Sequence, residues 1–78
     1  MIRSDITGIW YDPDKCVFFR NYIQSAYYLE WGAILVDLFT DSSHKLVFVF
    51  AKEDHKKYMD RWMAQKKDSE KNERGKEI

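Results

Sequence analysis

The side chains in this sequence that most often bind metals or attack substrates are Cys16, His44 and His55. A structural metal site needs ligands at short, regular spacings, such as two cysteines two residues apart or two histidines four apart on a helix. Neither spacing occurs here. His44 falls in a polar stretch typical of a turn, and His55 falls on the apolar stripe of a helical segment, where it is most simply a boundary residue of the core. We therefore predict no metal site.

Cys16 paired with a histidine is the one arrangement that nucleophilic catalysis could use. The thiol lies in a segment typical of a strand, where no helix N-terminus would lower its pKa, so a structural role is favoured. Asp12 and Asp14 flank Pro13 and are explained by turn formation. The three glycines are isolated from one another, so they form no phosphate-binding loop. The sequence predicts no catalytic residues, no cofactor and no small-molecule substrate.

The composition is typical of one small domain. The chain has 78 residues, of which 45% are hydrophobic and 17% aromatic, enough to bury a core. Thirteen basic residues balance thirteen acidic ones, so no overall charge attracts nucleic acid or an anionic membrane. The single cysteine precludes an intramolecular disulfide, and the longest apolar run, residues 33–39, is too short to span a bilayer. We expect a cytoplasmic protein without a membrane partner, with a single domain over residues 1–65 and a flexible charged tail over residues 66–78.

The elements that must position these residues can be predicted from turn and cap signals. Residues 9–11 and 16–19 are typical strands separated by an Asp-Pro turn, and residues 33–39 and 46–50 form a second hairpin. Residues 21–31, with an asparagine N-cap and a following glycine, predict a helix. A second, amphipathic helix is predicted from about residue 53 to 65. The predicted fold class is α+β, a four-stranded, mainly antiparallel sheet with two helices packed on one face, in the order ββαββα.

The spacing of apolar residues predicts which face of each element is buried and which faces solvent. In the first helix the predicted core stripe comprises Tyr22, Ile23, Ala26 and Leu29. Tyr28 and Trp31 lie on the opposite side and are predicted to face solvent. In the second hairpin the face that carries Phe48 is predicted to be core, which places Asp37 on the outer face. That outer face also carries the apolar residues Leu35, Phe39, Val47 and Val49.

The segment from Phe18 to Trp62 resembles a family of small, uncharacterised domains of bacteria and their phages. The shared pattern is a helix with Ala26-Tyr27-Tyr28-Leu29 followed by Gly32, a strand with Val47-Phe48-Val49-Phe50, and a helix with Tyr58 and Trp62. The family has no established activity. The resemblance implies the hairpin-and-helix fold and a phage or prophage setting, in which a small protein of this kind acts as an inhibitor or regulator of a host or defence protein.

Apolar residues on outer faces favour a protein-interaction module. The predicted partner-binding residues are Tyr28, Trp31, Leu35, Phe39, Val47 and Val49. The expected partner is another protein or a second copy of the chain, since an apolar patch can cover itself in a homodimer.

The alternative function is nucleic-acid binding through strand aromatics and a basic edge. The predicted basic residues are Lys45, Lys52, Lys56, Lys57 and Arg61. Acidic residues are interleaved with these cations, which favours a solvated helix face over a nucleic-acid site.

Overall fold

The computed structural model describes the backbone of residues 1–77 and the side chains of residues 1–66. The described elements are β1 (Ile2–Arg3), β2 (Trp10–Tyr11), a 3₁₀ turn (Pro13–Lys15), β3 (Cys16–Phe19), α1 (Tyr22–Glu30), β4 (Asp37–Thr40), β5 (Leu46–Ala51) and α2 (Lys52–Glu77). The strands form two antiparallel sheets, a short β1–β2 ribbon and a three-stranded sheet in the order β3-β5-β4. The predicted α+β class is confirmed, and the single four-stranded sheet is wrong. The predicted flexibility of the tail, residues 66–78, falls almost entirely outside the described side chains and stays a prediction.

The first predicted hairpin does not form. Asp12 caps the 3₁₀ turn as the sequence indicates, since its side chain accepts a hydrogen bond from the Asp14 N–H at 3.0 Å. The strands on either side of this turn find other partners, however, because β2 pairs with β1 and β3 pairs with β5. The apolar run of β5 has no polar face, which is typical of a central strand covered on both sides. The central position, with one strand paired on each edge of β5, is therefore favoured over a two-stranded hairpin.

The second hairpin is confirmed. β4 and β5 pair antiparallel, with Leu38 opposite Phe48 and Phe39 opposite Val47. Asp41 closes the connection, because its Oδ1 accepts hydrogen bonds from the backbone N–H groups of Ser43 and Lys45. The strand begins only at Asp37, four residues later than predicted.

Helix α1 has the predicted ends, but the face that was predicted to be exposed is the face that is buried. The Asn21 side chain accepts hydrogen bonds from two backbone N–H groups of the first turn, and Gly32 follows the helix with a φ of 110° that suits glycine. Tyr28, predicted to face solvent, is completely buried, whereas three of the four stripe residues are large apolar side chains left exposed: Tyr22, Ile23 and Leu29.

The burial of Tyr28 explains this rotation of α1. Gln24 donates a hydrogen bond to the Tyr28 hydroxyl at 3.1 Å, and that hydroxyl lies 3.0 Å from His55 Nδ1. The ring packs edge-on against Phe19 and Phe50 at centroid distances of 5.6 Å. A tyrosine can be buried at little cost when its hydroxyl is hydrogen-bonded, and these contacts favour burial of the face of α1 that carries Tyr28 over the face that carries the apolar stripe.

The helices cover one face of the three-stranded sheet. The buried cluster on this face comprises Tyr28, Ala33, Phe50, Tyr58 and Trp62. Phe48, predicted to be central, is only partly buried, and Phe50 takes the central position. The outward-facing side chains of the same sheet meet the N-terminal ribbon, where a second buried cluster comprises Tyr11, Cys16, Val36 and Val49. The predicted exposure of Val47 and Val49 is therefore wrong.

Candidate interaction surface

The residues best suited to catalysis are not brought together. Cys16 belongs to the ribbon-side cluster, whereas the ring of His55 packs against Phe19 on the helix side of the sheet at 5.2 Å. Burial, together with the nearby Asp12 carboxylate, raises the pKa of the Cys16 thiol, which makes it a poor nucleophile. Among the residues whose side chains are described, no three His, Cys, Asp or Glu groups converge on a point where they could hold a metal ion.

Asp37 is a buried carboxylate on the ribbon side of the three-stranded sheet. Its Oδ1 accepts hydrogen bonds from the Ser4 hydroxyl at 2.6 Å and from the Leu38 N–H at 2.8 Å, and its Oδ2 accepts one from the Tyr11 hydroxyl at 2.5 Å. Burial by itself would raise the pKa of this carboxyl, but the three hydrogen bonds outweigh burial and hold its pKa below the ordinary value. The carboxylate ties the ribbon to β4, which is a structural role.

The sequence contained one signal for this network. An aspartate inside an otherwise apolar strand must find hydrogen-bond donors if it is buried. The sequence did not indicate which residues are the donors, because Ser4 and Tyr11 lie 33 and 26 residues from Asp37 along the chain.

Tyr11 is expected to titrate far above an ordinary tyrosine. Burial, followed by the hydrogen bond to Asp37 and the charge of that carboxylate, raises the pKa of Tyr11 from 10.0 to about 12. The difference between the alkaline absorbance titrations of the wild type and of Tyr11→Phe should therefore show a step near pH 12. The Asp37→Ala variant should move this step to lower pH. A Tyr11 step near pH 10 in the folded wild type would contradict the network.

The predicted basic edge is divided between two parts of the molecule. Lys45 precedes β5 and Lys52 follows it, so the length of the strand separates them by about 20 Å. On α2, the Lys57 ammonium lies 5.3 Å from the centre of the Tyr58 ring, and the Arg61 guanidinium lies 4.4 Å from that of Trp31. Lys56 is exposed and makes no comparable contact among the described side chains.

The six predicted partner-binding residues do not form one surface either. Tyr28 and Val49 are completely buried, so a partner could not reach them without unfolding the core. Val47 is 5% exposed and contributes only to the lining of a surface cavity. Trp31 and Leu35 are partly buried against the helix-side cluster. Phe39 alone of the six is an exposed large side chain.

Phe39 forms part of an exposed apolar surface with a residue that sequence reasoning missed. Phe18 on β3 and Phe39 on β4 extend from the same face of the sheet, on either side of β5, and are 45% and 40% exposed. Their rings meet edge to face with centroids 6.3 Å apart. They border a shallow cavity of about 340 Å³, lined by Phe18, Arg20, Phe39, Asp41 and Val47. We call these five residues the aromatic patch.

An ion pair forms the polar rim of the aromatic patch. The Arg20 Nε donates a hydrogen bond to Asp41 Oδ2 at 2.7 Å, and the Arg20 side chain remains largely exposed. Hydrogen bonds from the backbone N–H groups of Lys45 and Ser43, together with Arg20, hold the pKa of Asp41 below its ordinary value, so the pair is charged at neutral pH. Arg20 also lines a neighbouring cavity with Tyr22, Lys45 and Leu46. The patch is thus apolar at its centre and basic along one side.

Comparison of the chain with family models, with curated proteins and with solved structures gives no match. The family resemblance therefore stays a prediction. In the part of the chain that the structure describes, no helix is both long enough and apolar enough to cross a membrane.

Proposed function

We propose that this protein is a non-enzymatic interaction module that binds a partner protein through the aromatic patch. The observation that carries the proposal is the pair of neighbouring phenylalanine rings, Phe18 and Phe39, held on the surface beside an arginine. Aromatic and arginine side chains contribute most of the binding energy in many protein interfaces. Both rings extend from strands paired to β5 and contact each other, which restricts their motion before binding and reduces the conformational entropy lost on binding.

The polar rim favours a partner segment that places a carboxylate beside an apolar side chain. Asp41 engages the Nε of Arg20, while the exposed end of the guanidinium can present its remaining N–H groups to an incoming carboxylate. Lys45, in the adjoining cavity, adds a second positive charge on the same side. An apolar side chain of the partner would fill the cavity that the two rings border, and a neighbouring carboxylate of the partner would pair with Arg20.

The family resemblance supports a cellular role for such a module. We propose that it acts in the cytoplasm as an inhibitor or regulator of a host or defence protein, as expected for a small protein from a phage or prophage. Binding alone can inhibit when it covers a functional surface of the partner, so this role needs no catalytic group.

Replacing Phe18 and Phe39 together by alanine should weaken partner binding by roughly a hundredfold, because two central aromatic contacts are removed. A partner captured from a host lysate would be identified, purified and titrated with the wild type and the variant. The matched control is Ile34→Ala, which removes an exposed apolar side chain next to α2 and should leave affinity unchanged. A double variant that binds as tightly as the wild type would disprove the role of the aromatic patch.

The nucleic-acid alternative can be decided in the same experiment. Exposed aromatic rings beside Arg20 and Lys45 could also stack on bases, and phosphate contacts weaken steeply as salt concentration rises. Captured nucleic acid that is lost between about 50 mM and 200 mM salt would favour this alternative. A protein retained across that range supports the interaction module.

A further inference from the structure

The outer side of α1 carries an apolar stripe without a partner within the described part of the chain. We call the four exposed residues Tyr22, Ile23, Ala26 and Leu29 the α1 outer face. Tyr22 is 68% and Ile23 51% exposed, while the polar side chains of Gln24 and Ser25 on the other side of the same helix are buried. A surface helix normally directs its apolar stripe inward. The reversed arrangement leaves a contiguous apolar strip in water, which is typical of a binding surface.

We propose that a second copy of this chain docks on the α1 outer face, with the two α1 helices antiparallel across a two-fold axis. The order of side-chain sizes along the helix supports this geometry. Ala26 is the midpoint of α1, and the larger Tyr22 and Leu29 lie on either side of it. A two-fold axis through the middle of the helix places Ala26 against Ala26 of the second copy, so the helix axes can approach to about 8 Å. Each Tyr22 then packs beside Leu29 of the other copy.

The charges around the α1 outer face favour the antiparallel direction. Arg20 and Lys45 line the cavity that Tyr22 forms at the N-terminal end of the helix. Glu30 is exposed at the C-terminal end. An antiparallel pair brings each Glu30 close to the basic end of the other copy, whereas a parallel pair would place like charges together. The helix dipoles also oppose one another favourably in this arrangement.

The size of the surface predicts weak association. One nine-residue helix and its flanking side chains lie at the low end of the area that specific interfaces bury. We therefore expect a dissociation constant in the range of about 10 to 100 μM. Arg20 and Lys45 take part in both proposed surfaces, but Phe18 and Phe39 lie outside the α1 outer face and Ala26 lies outside the aromatic patch. Substitutions at these three positions therefore distinguish loss of partner binding from loss of self-association.

Sedimentation equilibrium of the full chain tests the surface. The wild type should shift from monomer toward dimer as its concentration rises through that range, and Ala26→Arg should weaken association at least tenfold because a long charged side chain then occupies the axis. Arginine is a good helix former and Ala26 is exposed, so this variant should melt like the wild type. Ala64→Arg makes the same change at an exposed position of α2 and should associate normally. A wild type that stays monomeric to about 1 mM, or an Ala26→Arg variant that dimerises as well as the wild type, would overturn the proposal.

Four further variants test the orientation. Glu30→Lys and Lys45→Glu should each weaken association about fivefold, and the double variant should restore it because the opposite charges are exchanged. Ala26→Cys should form a disulfide-linked dimer on mild oxidation, since the axis brings the two cysteines together while the native Cys16 is buried. A double variant that associates as weakly as the single variants, or an Ala26→Cys protein that does not cross-link, would overturn the antiparallel two-fold arrangement.

Discussion

Replacing Phe50 by alanine is expected to remove most of the stability of the protein. Phe50 is completely buried, and its ring packs against Tyr28 and Phe19 at centroid distances of 5.6 and 6.0 Å. Truncating a buried phenylalanine costs about 3 to 5 kcal/mol, because apolar contacts are lost and a cavity remains. The total free energy of unfolding of a domain this small is only about 5 to 10 kcal/mol. Urea unfolding followed by the tryptophan fluorescence should show a large decrease in the midpoint.

Phe18→Ala is the matched control for this experiment. It makes the same change on the neighbouring strand β3, but the ring of Phe18 is nearly half exposed, so its loss should cost only about 1 kcal/mol. If the two variants unfolded at the same urea concentration, the conclusion that the helices cover the Phe50 face of the sheet would be wrong.

Replacing Asp37 by alanine is expected to have the second-largest effect, about 3 kcal/mol or more. The change removes the carboxylate that accepts hydrogen bonds from Ser4 and Tyr11 and leaves both hydroxyl groups without this buried acceptor. The β1–β2 ribbon should therefore separate from the sheet more easily. Relative to the wild type, Asp37→Ala should increase the rate of amide hydrogen exchange more in the ribbon than in β5. An exchange rate in the ribbon equal to that of the wild type would contradict this local loss.

The same carboxylate predicts a loss of stability in acid. A carboxyl with a pKa lowered by folding contributes stability above its unfolded pKa, near 3.8, and loses that contribution as pH falls through the lower folded value. The free energy of unfolding of the wild type should therefore decrease below about pH 4 more steeply than that of Asp37→Ala. Asp60→Ala, which removes an exposed carboxylate from α2, serves as the control and should keep the dependence of the wild type. Identical acid profiles for the wild type and Asp37→Ala would rule out the hydrogen-bonded carboxylate.

The residues predicted to bind a partner show where prediction from the sequence fails. Two aromatic residues of the first helix and four apolar residues of the second hairpin were predicted to bind a partner, and of these six Phe39 alone is an exposed large side chain. Val47 and Val49 were predicted to be exposed because the alternation in β5 cannot distinguish an uncovered face from one covered by a distant segment. Phe18 was missed for the complementary reason, since it was expected in a hairpin and lies instead beside β5 in the three-stranded sheet.

The sequence by itself determined the features that depend on neighbouring residues. The Asn21 cap, the glycine after α1, the turn at Asp12 and the β4–β5 hairpin all arise from contacts within a few positions, and all are present. The tertiary structure alone decided which face of α1 is buried, which strand adjoins β5 and what covers Val49. Each of these depends on partners far along the chain: His55 lies 27 residues from Tyr28, and Ser4 lies 33 residues from Asp37. Such partners convert a polar side chain from a surface residue into a core residue, and hydropathy periodicity contains no information about them.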